Sequence, residues 1–223
     1  LVQESIADEF LTAFLARVNA LRLKAGVGWG ADMGSLVSQH QLDTVTAHVE
    51  DAVAKGAELL AGGRARPDVG PFYFEPTVLR GVTPDMLACK DETFGPVVSV
   101  YTFSTDEQAI AMANDTEYGL NAAVLTRDTK AGKAMALRIE AGTVNVNEAY
   151  GATWGSTGAP MGGMKASGLG RRHGVEGLLK YTESQTVSVQ HLVGFGAAFG
   201  RTDEQWAGLL TTAVKAMKTV GIR

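Results

Sequence analysis

Residues 97–147 read VVSVYTFSTDEQAIAMANDTEYGLNAAVLTRDTKAGKAMALRIEAGTVNVN, and signals for strands and helices alternate along them. The first seven residues are rich in β-branched and aromatic side chains, which favour a strand. A capping-box pattern from Ser104 to Glu107 then predicts a helix through Asn114. The series continues as strand, helix and strand over residues 120–126, 129–140 and 143–147. This rhythm predicts an α/β fold, with a mostly parallel sheet and crossover helices.

Two helices and an extended segment are predicted ahead of this stretch. The first helix covers residues 6–24, with Ser5 as its cap and an apolar stripe at helical spacing. The second is opened by a capping box at residues 38–41 and ends near residue 56. Pro76 argues against a central strand in the extended residues around it, because proline cannot donate a ladder hydrogen bond.

The C-terminal third begins with a glycine-rich loop over residues 148–174, and a loop of that length usually carries function. A short helix is expected at residues 175–179. Residues 181–192 alternate apolar and polar side chains, which predicts a half-buried strand. The tail ends in an amphipathic helix over residues 202–220, whose apolar face is expected to dock on its own protein.

Composition excludes several classes of protein. The hydrophobic fraction of 45% and the charged fraction of 20% are typical of a globular domain. A net charge of −4, mixed along the chain, gives no footprint for nucleic acid. The one cysteine, Cys89, excludes an internal disulfide framework and favours a reducing compartment, the cytoplasm. No stretch approaches the roughly 20 apolar residues of a membrane span, and the four histidines show no metal-binding spacing.

The most specific motif is DETFGPVV at residues 91–98. It places Glu92 and Phe94 two positions apart, just before a strand. Side chains at i and i+2 of an extended segment point the same way, so these two could face one ligand. A carboxylate beside an aromatic ring suits a ribose attached to a planar heterocycle. The alternatives are a solvated loop acid for Glu92 and an ordinary core aromatic for Phe94.

This motif resembles the Glu-x-Phe-Gly-Pro signature of the aldehyde dehydrogenase family. The likeness continues through GTVNVN at residues 142–147 and PMGGMKASG at residues 160–168. It implies an aldehyde-dehydrogenase-like catalytic domain, with residues 1–180 as its C-terminal part. Residues 181–192 would be an oligomerisation strand that joins a neighbouring subunit's sheet in a dimer or tetramer, and residues 193–223 a tail with the amphipathic helix.

The resemblance also implies the chemistry, which is oxidation of an aldehyde to a carboxylate with NAD or NADP through a cysteine thioester. It places the nucleophilic cysteine and the general base upstream of Leu1, so no catalytic residue is assigned here and the chain alone is expected to be inactive. Cys89 is expected to be a buried, inert residue. The resemblance assigns Glu92 and Phe94 to the coenzyme. The residues assigned to the aldehyde are Asn147, Tyr150, Trp154, Met161 and, as a candidate helper, Ser156.

Alternatives remain open within this reading. Asn147 could equally be an asparagine that bonds to the backbone at a turn. Met161 departs from the family pattern, in which an aromatic residue commonly precedes the Gly-Gly pair, and a flexible thioether would reshape the pocket. Residues 147–154 and 158–165 look most like bacterial succinate-semialdehyde dehydrogenases, which makes succinate semialdehyde a candidate substrate. The rival hypothesis is a non-catalytic binding or assembly module that keeps the fold.

Overall fold

The structure is a computed structural model that describes residues 1–191, 194 and 196–221. The chain divides into two compact units, Leu1–Leu178 and Leu179–Arg223. The first unit carries the sheets and most of the helices. Its elements, in chain order, are β1 Val2–Gln3, a 3₁₀ turn Glu4–Ile6, α1 Ala7–Asn19, α2 Gln39–Ala54, β2 Glu58–Ala61, β3 Thr77–Arg80, α3 Leu87–Lys90, β4 Val97–Val100, β5 Thr102–Phe103, α4 Asp106–Asn114, β6 Tyr118–Gly119, β7 Asn121–Val124, α5 Thr129–Ala136, β8 Thr143–Val146, α6 Gly151–Gly155, β9 Met161–Gly162, β10 Met164–Lys165, β11 Arg171–Arg172 and α7 Gly174–Leu179.

The strands form short ladders, three parallel and three antiparallel, joined by helices, which confirms the predicted α/β fold. In the three-stranded sheet, β3 lies between β2, which is antiparallel to it, and β4, which is parallel to it. Strand β1 pairs with β5 and β7 pairs with β8, both in parallel. Two antiparallel pairs, β6 with β10 and β9 with β11, shape the glycine-rich region.

Two strands with a single ladder partner each line the same groove. In the part of the chain that the structure describes, β1 has β5 as its one neighbour and β7 has β8 as its one neighbour. Both strands line a groove of about 540 Å³, together with side chains of α1, α4 and α5. Each of these strands therefore has one open edge among the described residues.

Helix α2 is packed tightly beside the start of β4. Val45 and Val49 are buried against Phe74, and Val97 completes the cluster. Burying such a side chain fully contributes about 1.5–3 kcal/mol. This contact fixes α2 next to the loop that precedes β4, which is where the DETFGPVV motif lies.

The prediction around Pro76 was wrong. Strand β3 begins one residue after Pro76 and is central, with Thr77, Val78 and Leu79 buried. The proline stands just ahead of the ladder, where its missing N–H is not needed, and the first bond is made by Thr77, whose N–H donates to Pro96 O at 2.7 Å.

The predicted helices begin close to the observed ones, but the caps of α1 and α4 differ from the prediction. Ser5 lies in the 3₁₀ turn and does not cap α1, which ends at Asn19, earlier than expected. Ser38 caps α2 as predicted, because its Oγ accepts from Gln41 N at 3.2 Å. The cap of α4 is Thr105, which accepts from Gln108 N, so this capping pattern lies one residue later than the sequence suggested.

The second unit contains α8, Asp203–Thr219, which begins with a capping box between Thr202 and Gln205. Trp206 is buried, and its Nε1 donates to Gly194 O at 3.1 Å. Residues 181–191 form no hydrogen-bonded strand in the single chain, and Leu192 lies outside the described residues. A strand needs a partner ladder, so the prediction that this segment pairs with another subunit stays a prediction. No helix in the described residues is long and apolar enough to cross a membrane.

Candidate functional site

The loop between α3 and β4 presents Glu92 and Phe94 to solvent. Phe94 is 73% exposed and has a φ of 45°, in the left-handed region that residues other than glycine rarely adopt. The loop is therefore not fully extended, and the expectation based on i, i+2 spacing was wrong at Phe94. Both side chains are nevertheless exposed. Phe94 is thus not the ordinary core aromatic of the alternative reading.

Glu92 lies near Tyr118 in β6, a residue that the sequence did not single out. Burial raises the pKa of the Tyr118 hydroxyl, and the negative charges of Glu117, Glu92 and Asp91 raise it further. Among the described residues, no donor bonds to the Glu92 carboxylate and no cation pairs with it. The free carboxylate can accept hydrogen bonds from a ribose diol, and the exposed ring two residues away can contact the heterocycle attached to it.

Side chains of α2 hold this loop through hydrogen bonds. Gln41 Nε2 donates to Thr93 O at 2.7 Å and to Phe94 O at 3.2 Å. His48 Nδ1 lies 3.0 Å from Thr93 Oγ1, and His48 is buried. Neither helix residue was predicted from the sequence. No sequence signal could have identified them, because they are 45 or more positions away from the loop they touch.

Three of the residues assigned to the aldehyde come together around α6. The Tyr150 hydroxyl donates to Met161 Sδ at 3.6 Å, and the Tyr150 and Trp154 rings lie 6.3 Å apart. Met161 is buried, whereas Trp154 is 60% exposed. His173 joins this aromatic cluster edge-on, 6.4 Å from Trp154, and its buried Nδ1 has no hydrogen-bond partner among the described residues.

The other two assigned residues make bonds to nearby backbone. Asn147 has a φ of 59°, and its Oδ1 accepts from Thr126 N at 2.8 Å. This is the turn-stabilising role that the sequence left open as an alternative, and it leaves the Asn147 amide nitrogen available. Ser156, at the end of α6, donates from Oγ to Ala152 O at 2.6 Å. Its hydroxyl hydrogen is therefore occupied by the helix.

Two residues that the sequence analysis missed hold the loop that carries Tyr150. Glu148 Oε1 accepts from the backbone N–H groups of Gly151, Tyr150 and Ala149, and these bonds lower the pKa of Glu148. Asn145 is buried, and its Nδ2 donates to Ala149 O at 3.0 Å. Both anchor the start of α6, so they act on the aromatic cluster through the backbone.

The expectation that Cys89 is buried was wrong. Cys89 is exposed near the end of the four-residue helix α3, because so short a helix leaves most of its surface to solvent. Burial and the adjacent Cys89 raise the pKa of Tyr101. Within residues 1–191, 194 and 196–221 there is no group of three or more His, Cys, Asp or Glu side chains that could hold a metal ion.

Comparison with known proteins decides the family. Residues 1–187 match the profile of the Aldehyde dehydrogenase family. The chain belongs to the aldehyde dehydrogenase family. A relative from Mycolicibacterium smegmatis is 51% identical over 217 residues, which is 97% of this aldehyde dehydrogenase chain and 42% of the relative. One from Mycobacterium tuberculosis H37Rv is 49% identical over 223 residues, 100% of this chain and 43% of the relative. Both are named, provisionally, as NADP(+)-dependent succinate-semialdehyde dehydrogenases.

Solved structures agree with this assignment. The betaine aldehyde dehydrogenase of Staphylococcus aureus, in complex with NAD+, has a TM-score of 0.75 at 37% identity, over 81% of this chain and 36% of that one. The succinate-semialdehyde dehydrogenase of Burkholderia pseudomallei has a TM-score of 0.73 at 39% identity, with the same coverage of 81% and 36%. This aldehyde dehydrogenase chain thus spans about two fifths of the length of the curated relatives it matches.

Proposed function

We propose that this chain supplies the coenzyme anchor and one wall of the aldehyde site in an NAD(P)-dependent aldehyde dehydrogenase. The observation that carries the proposal is the exposed pair formed by Glu92, whose carboxylate is free, and Phe94. Family membership and the aromatic cluster around Tyr150 support it. When bound, the dinucleotide would accept a hydride from the substrate. The nucleophilic cysteine and the general base are proposed to come from polypeptide outside this chain.

In this proposal Glu92 accepts hydrogen bonds from the hydroxyl groups of the nicotinamide ribose. Bonds to a charged group contribute about 1.5–3 kcal/mol each. Phe94 packs its ring beside the nicotinamide, and the loop between them sets the position of both. The coenzyme proposed first is NADP(+), because relatives near 50% identity carry that name, with NAD as the alternative, because a solved neighbour holds NAD+.

The aromatic cluster would orient the aldehyde and keep water away from it. Succinate semialdehyde is the proposed substrate, following the names of the relatives. Its remote carboxylate needs a cation, and we assign that role to Arg172. Arg172 lies opposite Met161 in the β9–β11 ladder, and directly paired residues of antiparallel strands present their side chains on the same face. Among the described residues, nothing forms an ion pair with Arg172.

The assembly and location of the enzyme are also proposed. Residues 181–191 would add a strand to a neighbouring subunit's sheet and so build a dimer or tetramer, since an unpaired extended segment is an association site. The lone cysteine of the chain and the coenzyme chemistry favour the cytoplasm.

The coenzyme role of Glu92 is tested with Glu92→Gln in the full-length enzyme. We expect the Kd for NADPH, measured by fluorescence titration, to rise about ten-fold, because a neutral amide accepts weaker hydrogen bonds than a carboxylate. Glu117→Gln, a nearby exposed acid, is the matched control and should leave the Kd unchanged. An unchanged Kd for both NADPH and NADH in Glu92→Gln would overturn the proposal in favour of a module without a coenzyme role.

The substrate is tested with Arg172→Gln and two aldehydes of equal chain length. We expect the KM for succinate semialdehyde to rise about 10–100-fold, because the variant loses a charge-assisted bond to the carboxylate. The KM for butyraldehyde, which has no carboxylate, should stay the same. Equal changes with both aldehydes would show that Arg172 does not recognise the carboxylate.

A further inference from the structure

One face of α2 contacts consecutive residues of the loop at residues 91–96, which is called the coenzyme loop below. Gln41, Val45 and His48 are spaced by four and three positions, so they lie on the same side of the helix. They touch three consecutive residues of the loop, Thr93 to Gly95.

The contacts are of different kinds and together leave the loop little freedom. Gln41 holds the carbonyl oxygens of Thr93 and Phe94. The ring of His48, which is only 6% exposed, holds the Thr93 hydroxyl at 3.0 Å. At Gly95 the helix comes so close that an added Cβ would lie 2.3 Å from Val45 Cγ2. No side chain larger than hydrogen fits there.

The loop needs such support, because Phe94 has a φ of 45°. A phenylalanine in the left-handed region is strained, and such a conformation persists only where the surrounding structure enforces it. Thr93 is the residue best placed to enforce it, since it lies between Glu92 and Phe94. A bond that fixes the Thr93 side chain therefore also restrains its two neighbours, Glu92 and Phe94.

We infer that His48, assisted by Gln41, is a positioning residue that holds Glu92 and Phe94 in their coenzyme-binding arrangement through Thr93. The inference rests on the coenzyme role proposed above for that loop. His48 itself does not contact the coenzyme. It acts through a buried hydrogen bond from the neighbouring helix.

The bond is tested in the full-length enzyme with His48→Phe, Thr93→Val and the double variant. We expect each single variant to raise the Kd for NADPH, measured by fluorescence titration, about ten-fold. The double variant should be no weaker than either single one, because the same bond is broken in all three. Since saturating coenzyme can restore the arrangement, KM for NADP(+) should rise more than kcat falls. His48→Asn, which keeps a hydrogen-bonding atom at the δ position, should recover most of the affinity.

Two controls separate positioning from stability. Leu11→Ala removes buried volume from α1, in a separate core cluster, and should lower Tm without changing the Kd for NADPH. His40→Asn, at an exposed position of α2, should change neither. If His48→Phe does not fold, Thr93→Val decides.

The result that would overturn the inference is a Kd for NADPH that stays within about two-fold in His48→Phe and Thr93→Val while Tm falls. Glu92→Gln, measured in parallel, shows which hypothesis has failed. If Glu92→Gln alone weakens binding, the role of His48 is purely structural. If neither variant weakens binding, the coenzyme role of the loop fails and the inference fails with it.

Discussion

Asn145 and Asn147 are two residues apart but have different roles. Asn147 is exposed and accepts from the backbone N–H of Thr126, just after β7, whereas Asn145 is buried inside a network. Asn145 Nδ2 donates to Asn121 Oδ1 at 3.0 Å, and its Oδ1 accepts from Thr153 Oγ1 at 2.6 Å. The pattern of residue types favoured Asn147 as the site residue. The contacts show that the loop depends more on Asn145.

We predict that Asn145→Ala lowers the free energy of unfolding by about 2–3 kcal/mol, because it leaves several buried polar groups without partners. Urea denaturation measures this. Ser156→Ala, which removes an exposed hydroxyl from the same region, should stay within about 0.5 kcal/mol. Similar values for the two variants would contradict the importance of the Asn145 network.

Asp32 accepts two side-chain hydrogen bonds from Arg22, at 2.9 and 3.1 Å. These bonds, with one from the Arg22 backbone N–H, lower the pKa of Asp32 from 3.8 to about 2. Because the pKa of Asp32 is lower in the folded state, the pair stabilises the fold at pH values above the ordinary pKa of an aspartate. That contribution is lost as pH falls from 3.8 through about 2.

The measurement is an NMR titration of the Asp32 carboxyl group. In Arg22→Gln its pKa should return toward the ordinary value, while the pKa of Asp68, which Arg66 holds low, should not move. A pKa of Asp32 that is the same in both proteins would rule out the ion pair as the cause.

The sequence could identify Glu92, Phe94, Tyr150, Trp154 and Met161 as candidates because each belongs to a local motif. It could not identify His48, which contacts Thr93, or Tyr118, which lies near Glu92, because both positions depend on how distant elements pack. It also misjudged the backbone at Phe94. Among the described residues, Phe94, Asn147 and His173 all have a positive φ. Strain of this kind is common at functional sites and cannot be read from residue types.

At the scale of elements, the predictions were best where pattern and length agreed. Strands β7 and β8 and helices α4 and α5 were placed correctly, to within a few residues, because periodicity and caps act locally. Strand β3 was misjudged because Pro76 was taken as an argument against a central strand, whereas the strand starts one residue after it. The short pairs β6–β10 and β9–β11 were not predicted, since a two-residue strand has no recognisable pattern.

Close packing between elements gives a test at Gly142, just before β8. A Cβ at this position would lie 1.8 Å from Gly162 O, which belongs to β9. We predict that Gly142→Ala lowers the free energy of unfolding by about 3 kcal/mol, because backbone must move to make room. Denaturation with urea checks this. Gly155→Ala in α6, where the added Cβ meets nothing within 4 Å, is the control and should be tolerated. If Gly142→Ala is tolerated as well as Gly155→Ala, then β9 does not pack closely against Gly142.

At the scale of the whole molecule, the segment 181–191 connects assembly to a simple measurement. Tyr181 is 78% exposed, and Trp29, in the first unit, is 99% exposed. Both are chymotrypsin sites. If residues 181–191 pair with a neighbouring subunit, cleavage after Tyr181 should slow as protein concentration rises, because a paired strand is not available to a protease.

Cleavage after Trp29 provides the internal reference for this experiment and should not depend on protein concentration. The fragments are identified by mass spectrometry. Tyr181 cleavage that stays equally fast in the assembled enzyme would show that this segment is not part of the subunit interface.

The open edges of β1 and β7 have a consequence for how heat unfolds the chain. No ladder connects β1–β5 to β7–β8 across the groove in the described residues, so the two sheets share few backbone hydrogen bonds. Cooperative melting requires that one part cannot loosen without the other. We therefore expect calorimetry on this chain to give a total enthalpy larger than the van't Hoff enthalpy, the sign of melting in steps. A strand that paired with both open edges would merge the steps into a single transition.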